Sequence, residues 1–265
     1  MGSKEFIMLC AYVLAGIVGL CVGSFLNVVI YRLPNGMNLS KPASHCTTCD
    51  YKLRWYDNIP VISYLCLGGK CRKCRKPISP RYIIVEIVNA ILWVLSVHMF
   101  WERKPLAAVL CAIVLSTLIC IFFIDLEHLL IFNRFTIIIA VAGAIFTFID
   151  RYTYWYDHLI GAAVFGGFFL LVYYGAIWVL KREGLGFGDV KLAFAAGLML
   201  GWQRMMLAML IASVSASIVL LAVRYARGDE KDREYPFGPF IAVGVALALL
   251  FGQAIIDWYL LLIGF

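Results

Sequence analysis

Apolar residues fall in eight runs, at about 6–31, 82–100, 106–124, 134–149, 158–180, 190–201, 203–223 and 237–263, separated by polar or charged joints. About 20 apolar residues span a bilayer as a helix. The pattern therefore predicts an all-α polytopic membrane protein with about eight transmembrane helices. The sixth run is short and carries Gly197 and Gly201, which suits a tilted helix or one beside a cavity. One joint breaks the rhythm: residues 32–81 form a long polar loop between the first two helices.

Composition agrees with this reading. The chain has 265 residues, of which 63% are hydrophobic, well above the share in soluble domains. Residues 6–31 run long for a signal peptide and lack a small-residue cleavage site after a short apolar core. Phe6 stands where a myristoylation signal wants Ser or Thr. The net charge of +7 would suggest nucleic acid in a soluble protein, but topology explains it here and no nucleic-acid partner is expected. Eighteen of the 23 basic residues fall on one side of the predicted helices; only Lys4, Arg103, Lys104, Arg151 and Arg204 fall on the other. The rich side is cytoplasmic by the positive-inside rule, which places both termini outside and the lipid bilayer around the helices. The run at 228–234, rich in Asp, Glu, Lys and Arg, reads as a solvated loop.

Two carboxylates stand out. Asp125 closes the third apolar run and Asp189 opens the sixth, so both fall on the cytoplasmic side. Ionisable groups at membrane depth are costly and mark functional sites. A close carboxylate pair can share one proton: the ionised member activates water and the protonated member polarises a carbonyl. Asp189 follows Gly186 and Gly188, which are expected to allow unusual backbone angles and the close approach of a substrate strand. Helix dipoles favour the Asp189 anion at a helix start and disfavour the Asp125 anion at a helix end, a bias toward Asp125 as acid and Asp189 as base. The bland alternatives are an N-cap for Asp189 and an ion pair of Asp125 with Arg134 or Lys191.

The loop at 32–81 carries Cys46-Thr47-Thr48-Cys49 and, after a 21-residue gap, Cys71-Arg72-Lys73-Cys74. Paired CxxC knuckles present four thiolates to a tetrahedral metal, and zinc fits such a closed structural site. Lys70, Arg72, Lys73, Arg75 and Lys76 are expected to help keep the thiols ionised. A cytoplasmic loop argues against disulfides. Four sulfurs leave no open position for catalysis, so the metal is expected to fold the loop. Cys10, Cys21, Cys111 and Cys120 read as small buried hydrophobes, and Cys66 as a spare thiol. His45, His98, His128 and His158 are scattered and read as interfacial or capping residues. Ser24, Asn27, Glu86 and Asn89 lie near the cytoplasmic ends of the first two helices. They either satisfy one another or Arg81, or line a ligand pocket between loop and membrane, with Asn27 and Glu86 as the cofactor candidates.

Several stretches together resemble the type IV prepilin peptidases. They are Gly23-Ser24-Phe25-Leu26-Asn27 through Arg32-Leu33-Pro34, the two CxxC pairs with Trp55-Tyr56-Asp57-Asn58-Ile59-Pro60 between them, Ile124-Asp125-Leu126-Glu127-His128, Gly186-Phe187-Gly188-Asp189-Val190-Lys191-Leu192, and Pro236-Phe237-Gly238-Pro239-Phe240. The resemblance covers nearly the whole chain in order. It implies an intramembrane aspartyl protease of the bacterial cytoplasmic membrane that removes the short basic leader of prepilins or pseudopilins. It also implies N-methylation of the new N-terminal residue from S-adenosylmethionine. Catalytic roles then map onto Asp125 and Asp189, and zinc ligation onto Cys46, Cys49, Cys71 and Cys74. The expected division is residues 1–31 as first helix, 32–81 as zinc loop and part of the methyltransferase region, and 82–265 as protease core. Two departures stand out: Phe132 and Leu185 occupy positions where the family usually has proline and methionine, and Phe132 is expected to alter the turn after Asp125. Presenilin-like proteases share GxGD, but Ile124 and Pro236-Phe237-Gly238-Pro239 differ from their Tyr-Asp and Pro-Ala-Leu. A non-enzymatic, zinc-stabilised scaffold or transporter is the rival from another class.

Overall fold

The structure, a computed structural model, describes all residues except 1, 102–103, 151–152, 182–184, 228–234 and 265. The charged run at 228–234, Gly184, Arg103, Arg151 and Arg182 therefore lie outside the described residues. The eight expected apolar segments are all helical: α1 (Ser3–Arg32), α3 (Arg81–Phe100), α4 (Pro105–His128), α5 (Asn133–Thr147), α6 (Trp155–Leu180), α7 (Phe187–Leu200), α8 (Trp202–Arg227) and α9 (Gly238–Leu262). A short helix, α2 (Ile62–Cys66), lies in the loop between α1 and α3. Among the described residues, β structure is limited to isolated bridges such as His45 with Lys52. Six helices (α1, α3, α4, α6, α8 and α9) are long and apolar enough to cross a membrane. The other two fall short of the roughly 20 residues a span needs: α5 has 15 and α7 has 14.

Packing divides the chain into two compact units, Met1–Cys120 and Ile121–Phe265, the boundary falling inside α4. In the first unit α1 packs on α3. A Cβ on Gly19 or Gly23 would come within 2.7 Å or 2.8 Å of the α3 backbone, so small residues set how closely the helices approach. Polar groups fix the seam, as expected where apolar contact with lipid offers no contrast. The fully buried Asn89 donates to the Gly19 carbonyl at 2.7 Å and accepts from the Ser116 hydroxyl at 2.7 Å. Ser116 in turn accepts from the Trp93 indole at 2.9 Å.

The remaining faces of α1 carry exposed Phe6, Leu9, Val13, Leu14 and Ile17, a surface suited to lipid. This corrects the reading of two cysteines. Cys111 and Cys120 are buried, but Cys10 and Cys21 are exposed, because only one stripe of α1 has a helix to pack against.

In the second unit α7 is the central helix and packs against α5, α6, α8 and α9. Leu192, Ala193, Ala196, Met199 and Leu200 are fully buried. The α6–α7 contact is backbone on backbone: a Cβ on Gly197 would lie 2.5 Å from the Gly161 carbonyl oxygen. The carboxyl end of α7 is closed by side chains. Leu198 O accepts from His158 Nδ1 at 2.9 Å, and Leu200 O accepts from Arg204 Nε at 2.8 Å. Arg204 also pairs with Asp150 and donates to the Thr153 hydroxyl at 3.3 Å, and Thr153 Oγ1 lies 2.8 Å from His158 Nε2. His158 was expected at the interface or on a helix end; it binds a carbonyl of the last α7 turn but is fully buried.

Candidate active site and metal centre

Helix α4 runs one turn beyond its expected end, so Asp125 lies inside the last turn instead of closing the helix. Helix α7 begins at Phe187, with Gly186 as N-cap. Asp189 is therefore the third helical residue and not the N-cap. Its carboxylate reaches back to the Gly186 amide, the side-chain half of a capping box. Both aspartates are buried, at 6% and 7% exposure.

The site is assembled by residues with no charge. The Gly238 amide, at the start of α9, hydrogen-bonds the Asp125 carboxylate. A Cβ on Gly238 would sit 2.5 Å from Asp125 Oδ2 and 3.1 Å from Ile131 Cδ1. A Cβ on Gly188 would sit 2.8 Å from Ile131 Cβ. Ile131 thus wedges between the starts of α7 and α9, with Asp125 beside one glycine and Asp189 beside the other. The two carboxyls are close enough for the charge on Asp125 to act on Asp189. Asp189 Oδ1 is buried and has no hydrogen-bond partner among the described residues, an arrangement natural proteins rarely leave without a purpose.

This geometry alters four expectations. Gly186 and Gly188 are not among the residues with positive φ, so the glycines supply room and not unusual backbone angles. At Gly188 the room is filled by Ile131. At Gly186, among the described residues, an added Cβ would meet Asp189 Oδ2 at 3.4 Å and Gly188 N at 4.0 Å, looser contacts than at Gly188. Dipoles also fail to rank the pair: Asp189 lies in the first turn of α7, while Asp125 ends α4 but meets the first amide of α9. Lys191, an expected partner of Asp125, donates to Asn133 Oδ1 at 2.8 Å and sits 4.7 Å from the Phe187 ring centroid. Phe132 is the N-cap of α5 with φ −73°, within the range that proline imposes, so the chain takes the proline-like turn without proline. Gly238 and Ile131 escaped sequence reasoning as site residues; the run Pro236-Phe237-Gly238-Pro239 ahead of an apolar segment was their one trace.

The four knuckle cysteines come together in the first unit, with all four sulfurs within 4.8 Å of one another. Cys46 Sγ lies 3.8 Å from Cys74 Sγ, and Cys49 Sγ lies 4.0 Å from Cys71 Sγ. Tetrahedral zinc with bonds near 2.3 Å spaces its sulfurs about 3.8 Å apart, so the cluster fits a metal ion. Cys66 is exposed and outside the cluster.

Amides prepare the thiols: those of Thr48 and Cys49 point at Cys46 and that of Tyr51 at Cys49. The Thr48 amide is the largest influence on Cys46, which falls to about 6. Cys49 rises to about 11, because burial and the adjacent thiols outweigh the Tyr51 amide. Thiols this crowded cannot all ionise independently; a dication removes the conflict by binding all four as thiolates. Arg72, expected to act on the thiols, instead binds Asp57 at 2.7 Å. Burial would raise the Asp57 carboxyl, but Arg72, the Arg54 amide and the Tyr51 hydroxyl outweigh it and hold the group below the usual carboxylate range.

Fold and site together define a polytopic helical membrane protein with a buried carboxylate pair in one unit and a four-cysteine cluster that fits a metal ion in the other. Residues 17–100 match the bacterial peptidase A24 N-terminal domain, and residues 112–221 match the type IV leader peptidase family. The chain is 34% identical over 270 residues to a prepilin leader peptidase/N-methyltransferase of Aeromonas hydrophila, covering 91% of each chain. A protein of the same description from Pseudomonas aeruginosa is 34% identical over 284 residues, covering 96% of each. One from Myxococcus xanthus is 37% identical over 220 residues, covering 82% of this chain and 64% of the relative. The chain belongs to the type IV leader peptidase family. No solved structure matches it.

Proposed function

We propose that the protein cleaves the basic leader from type IV prepilins or pseudopilins, with Asp125 and Asp189 as the catalytic pair, and then N-methylates the new N-terminal residue. The observation that carries the cleavage reading is the meeting of two buried carboxyls, with Asp189 Oδ1 unpartnered among the described residues. One carboxylate takes a proton from water, which attacks the scissile carbonyl carbon, while the other carboxyl donates its proton to the carbonyl oxygen. When the tetrahedral gem-diol collapses, the second group takes a proton back from one of its hydroxyls as the carbonyl re-forms, the C–N bond breaks, and the first group gives its proton to the leaving amine. The starting protonation states are thereby restored.

The relatives described as N-methyltransferases support the second activity. S-adenosylmethionine, when bound, would supply an electrophilic methyl to the free N-terminal amine, with S-adenosylhomocysteine as the leaving group. Cys46, Cys49, Cys71 and Cys74 would hold a zinc ion that orders the loop, and a four-sulfur site would leave it no open position for bond making. The charge bias places this work at the cytoplasmic face of the bacterial cytoplasmic membrane, with both termini outside.

Purified protein incubated with a synthetic prepilin peptide, with and without S-adenosylmethionine, tests the reading by mass spectrometry. The expected products are the shortened peptide, and the shortened peptide plus one methyl when the donor is present. An intact peptide rejects cleavage; a shortened but unmethylated peptide in both arms rejects methyl transfer alone.

A further inference from the structure

A cavity of about 430 Å³ lies wholly within the first unit, between the cytoplasmic half of α1 and the loop. Its volume is within the range of small-molecule sites. Phe25, Val28 and Pro60 give it apolar surface, and Ser24, Ser44 and Asn58 give it hydrogen-bonding groups. One cation, Arg32, is in its lining, but that guanidinium is buried and donates to the carbonyls of Asn38 at 3.0 Å, Leu39 at 3.2 Å and Pro42 at 2.7 Å. Arg32 therefore builds the loop wall of the cavity.

The wall beyond Pro60 is held under strain. Val61 has φ 61° and ψ −50°, and the Ile62 amide donates to the Pro60 carbonyl at 2.6 Å. This is a three-residue γ-turn, unfavourable for a β-branched residue and kept only where surroundings enforce it. Glu86 enforces it: the buried carboxylate on α3 accepts the Val61 amide at 2.8 Å and the Ser24 hydroxyl. A glutamate in the helical seam thus fixes Ser24, which lines the cavity, and Val61, which follows the lining residue Pro60. Neither Asn27 nor Glu86 lines the cavity. Asn27 donates to the Gly23 and Tyr82 carbonyls, so the two cofactor candidates stand behind the wall as positioning residues.

We propose that this cavity is the methyl-donor site, binding an S-adenosyl sulfonium nucleoside. The inference rests on the reading that this protein transfers a methyl group. The chemistry of the lining favours that ligand over phosphate-bearing ones. Nucleotide phosphates and anionic lipid headgroups want unengaged cations or a nest of amides, and the single arginine is committed to backbone carbonyls. A nucleoside without phosphate asks for flat apolar contact, a few hydroxyls and amides, and a π face for its cationic sulfur, which Phe25 provides.

Cys21 lines the cavity and is exposed, while Cys10 is exposed on the same helix outside it. Full-length protein in detergent is alkylated with N-ethylmaleimide, with and without S-adenosylhomocysteine, and each cysteine is followed by peptide mass mapping. With the ligand at about 100 times its Kd, mass action predicts protection of Cys21 approaching about 100-fold, with Cys10 unaffected. Ser44→Phe, which fills the cavity, is expected to weaken S-adenosylhomocysteine binding by calorimetry at least about tenfold while the loop keeps its wild-type resistance to limited proteolysis, showing the fold intact; a milder second variant, Asn58→Ala, is expected to weaken it less. If calorimetry detects binding but Cys21 reacts at an unchanged rate, the site lies elsewhere and the methyl-transfer reading stands. If neither binding nor methylated product is found, that reading fails as well. Protection by anionic phospholipid and not by S-adenosylhomocysteine makes the cavity a lipid site and overturns the proposal.

Discussion

The two units solve the same problem, holding reactive groups in place in a chain that is mostly apolar, by opposite means. In the first unit the sulfurs sit on a loop that builds little core of its own, in a cluster that fits a cation and is ordered by amides and the Asp57–Arg72 pair. In the second unit the carboxylates sit on helix ends, and their order depends on one isoleucine packed closely against Gly188 and Gly238. The first arrangement is set by chemistry that a solvent component can remove. The second is set by packing, which responds only to substitution.

Four predictions test that contrast, beginning with the largest. Asp125→Asn and Asp189→Asn each lower the cleavage rate by at least about 10³-fold, as expected when one member of an acid–base pair is lost, without lowering thermal stability; cleavage within about tenfold of wild type would remove the pair from the mechanism. Chelation, or Cys46→Ser with Cys74→Ser, unfolds the loop, because a structural zinc site contributes about 10 kcal/mol or more to folding. Methyl transfer is then lost while leader cleavage persists, and parallel loss of both activities in one titration would show that the units do not work separately.

Next, Gly238→Ala places a Cβ 2.5 Å from Asp125 Oδ2. A displacement on that scale costs about 10²-fold in rate. Gly186→Ala, with its nearest contact at 3.4 Å, stays within about threefold, and equal effects in a side-by-side assay would break the packing argument. The smallest effect is on pH dependence. Asp57 titrates lower in the folded loop than in the unfolded chain, so its stabilisation is full above the unfolded carboxylate value of about 3.9 and is lost as pH falls through the lower folded value. Asp57→Asn is therefore less stable than wild type at neutral pH. The gap in denaturant midpoint, followed by Trp55 fluorescence, stays constant down to about pH 5 and narrows below about pH 4.

Much of this was legible from residue order. The apolar runs announced all eight long helices, with ends displaced by a few residues. The CxxC spacing announced a cluster that the fold closes to within 4.8 Å. Both signals are local, because helix periodicity and ligand spacing are written within one stretch of chain. What was not legible depends on partners distant in sequence. Ile131 becomes a site residue only because Gly188 and Gly238 approach it from separate helices. Arg204, read as an outer-side charge, is buried against Asp150, which also meets His158. The role of Glu86 depends on a turn at Val61 that no composition rule favours, since β-branched residues avoid positive φ.

The shortness of α7 has a further consequence. Its 14 residues reach about 21 Å in a hydrocarbon layer about 30 Å thick, so the helix cannot reach the headgroups at both ends. At its carboxyl end, Leu198 and Leu200 give their carbonyls to His158 and Arg204. At the other end the Gly186 amide meets the Asp189 carboxylate. Backbone groups that end inside a bilayer need either protein or water, so a helix too short to span obliges side chains to meet its backbone at both ends.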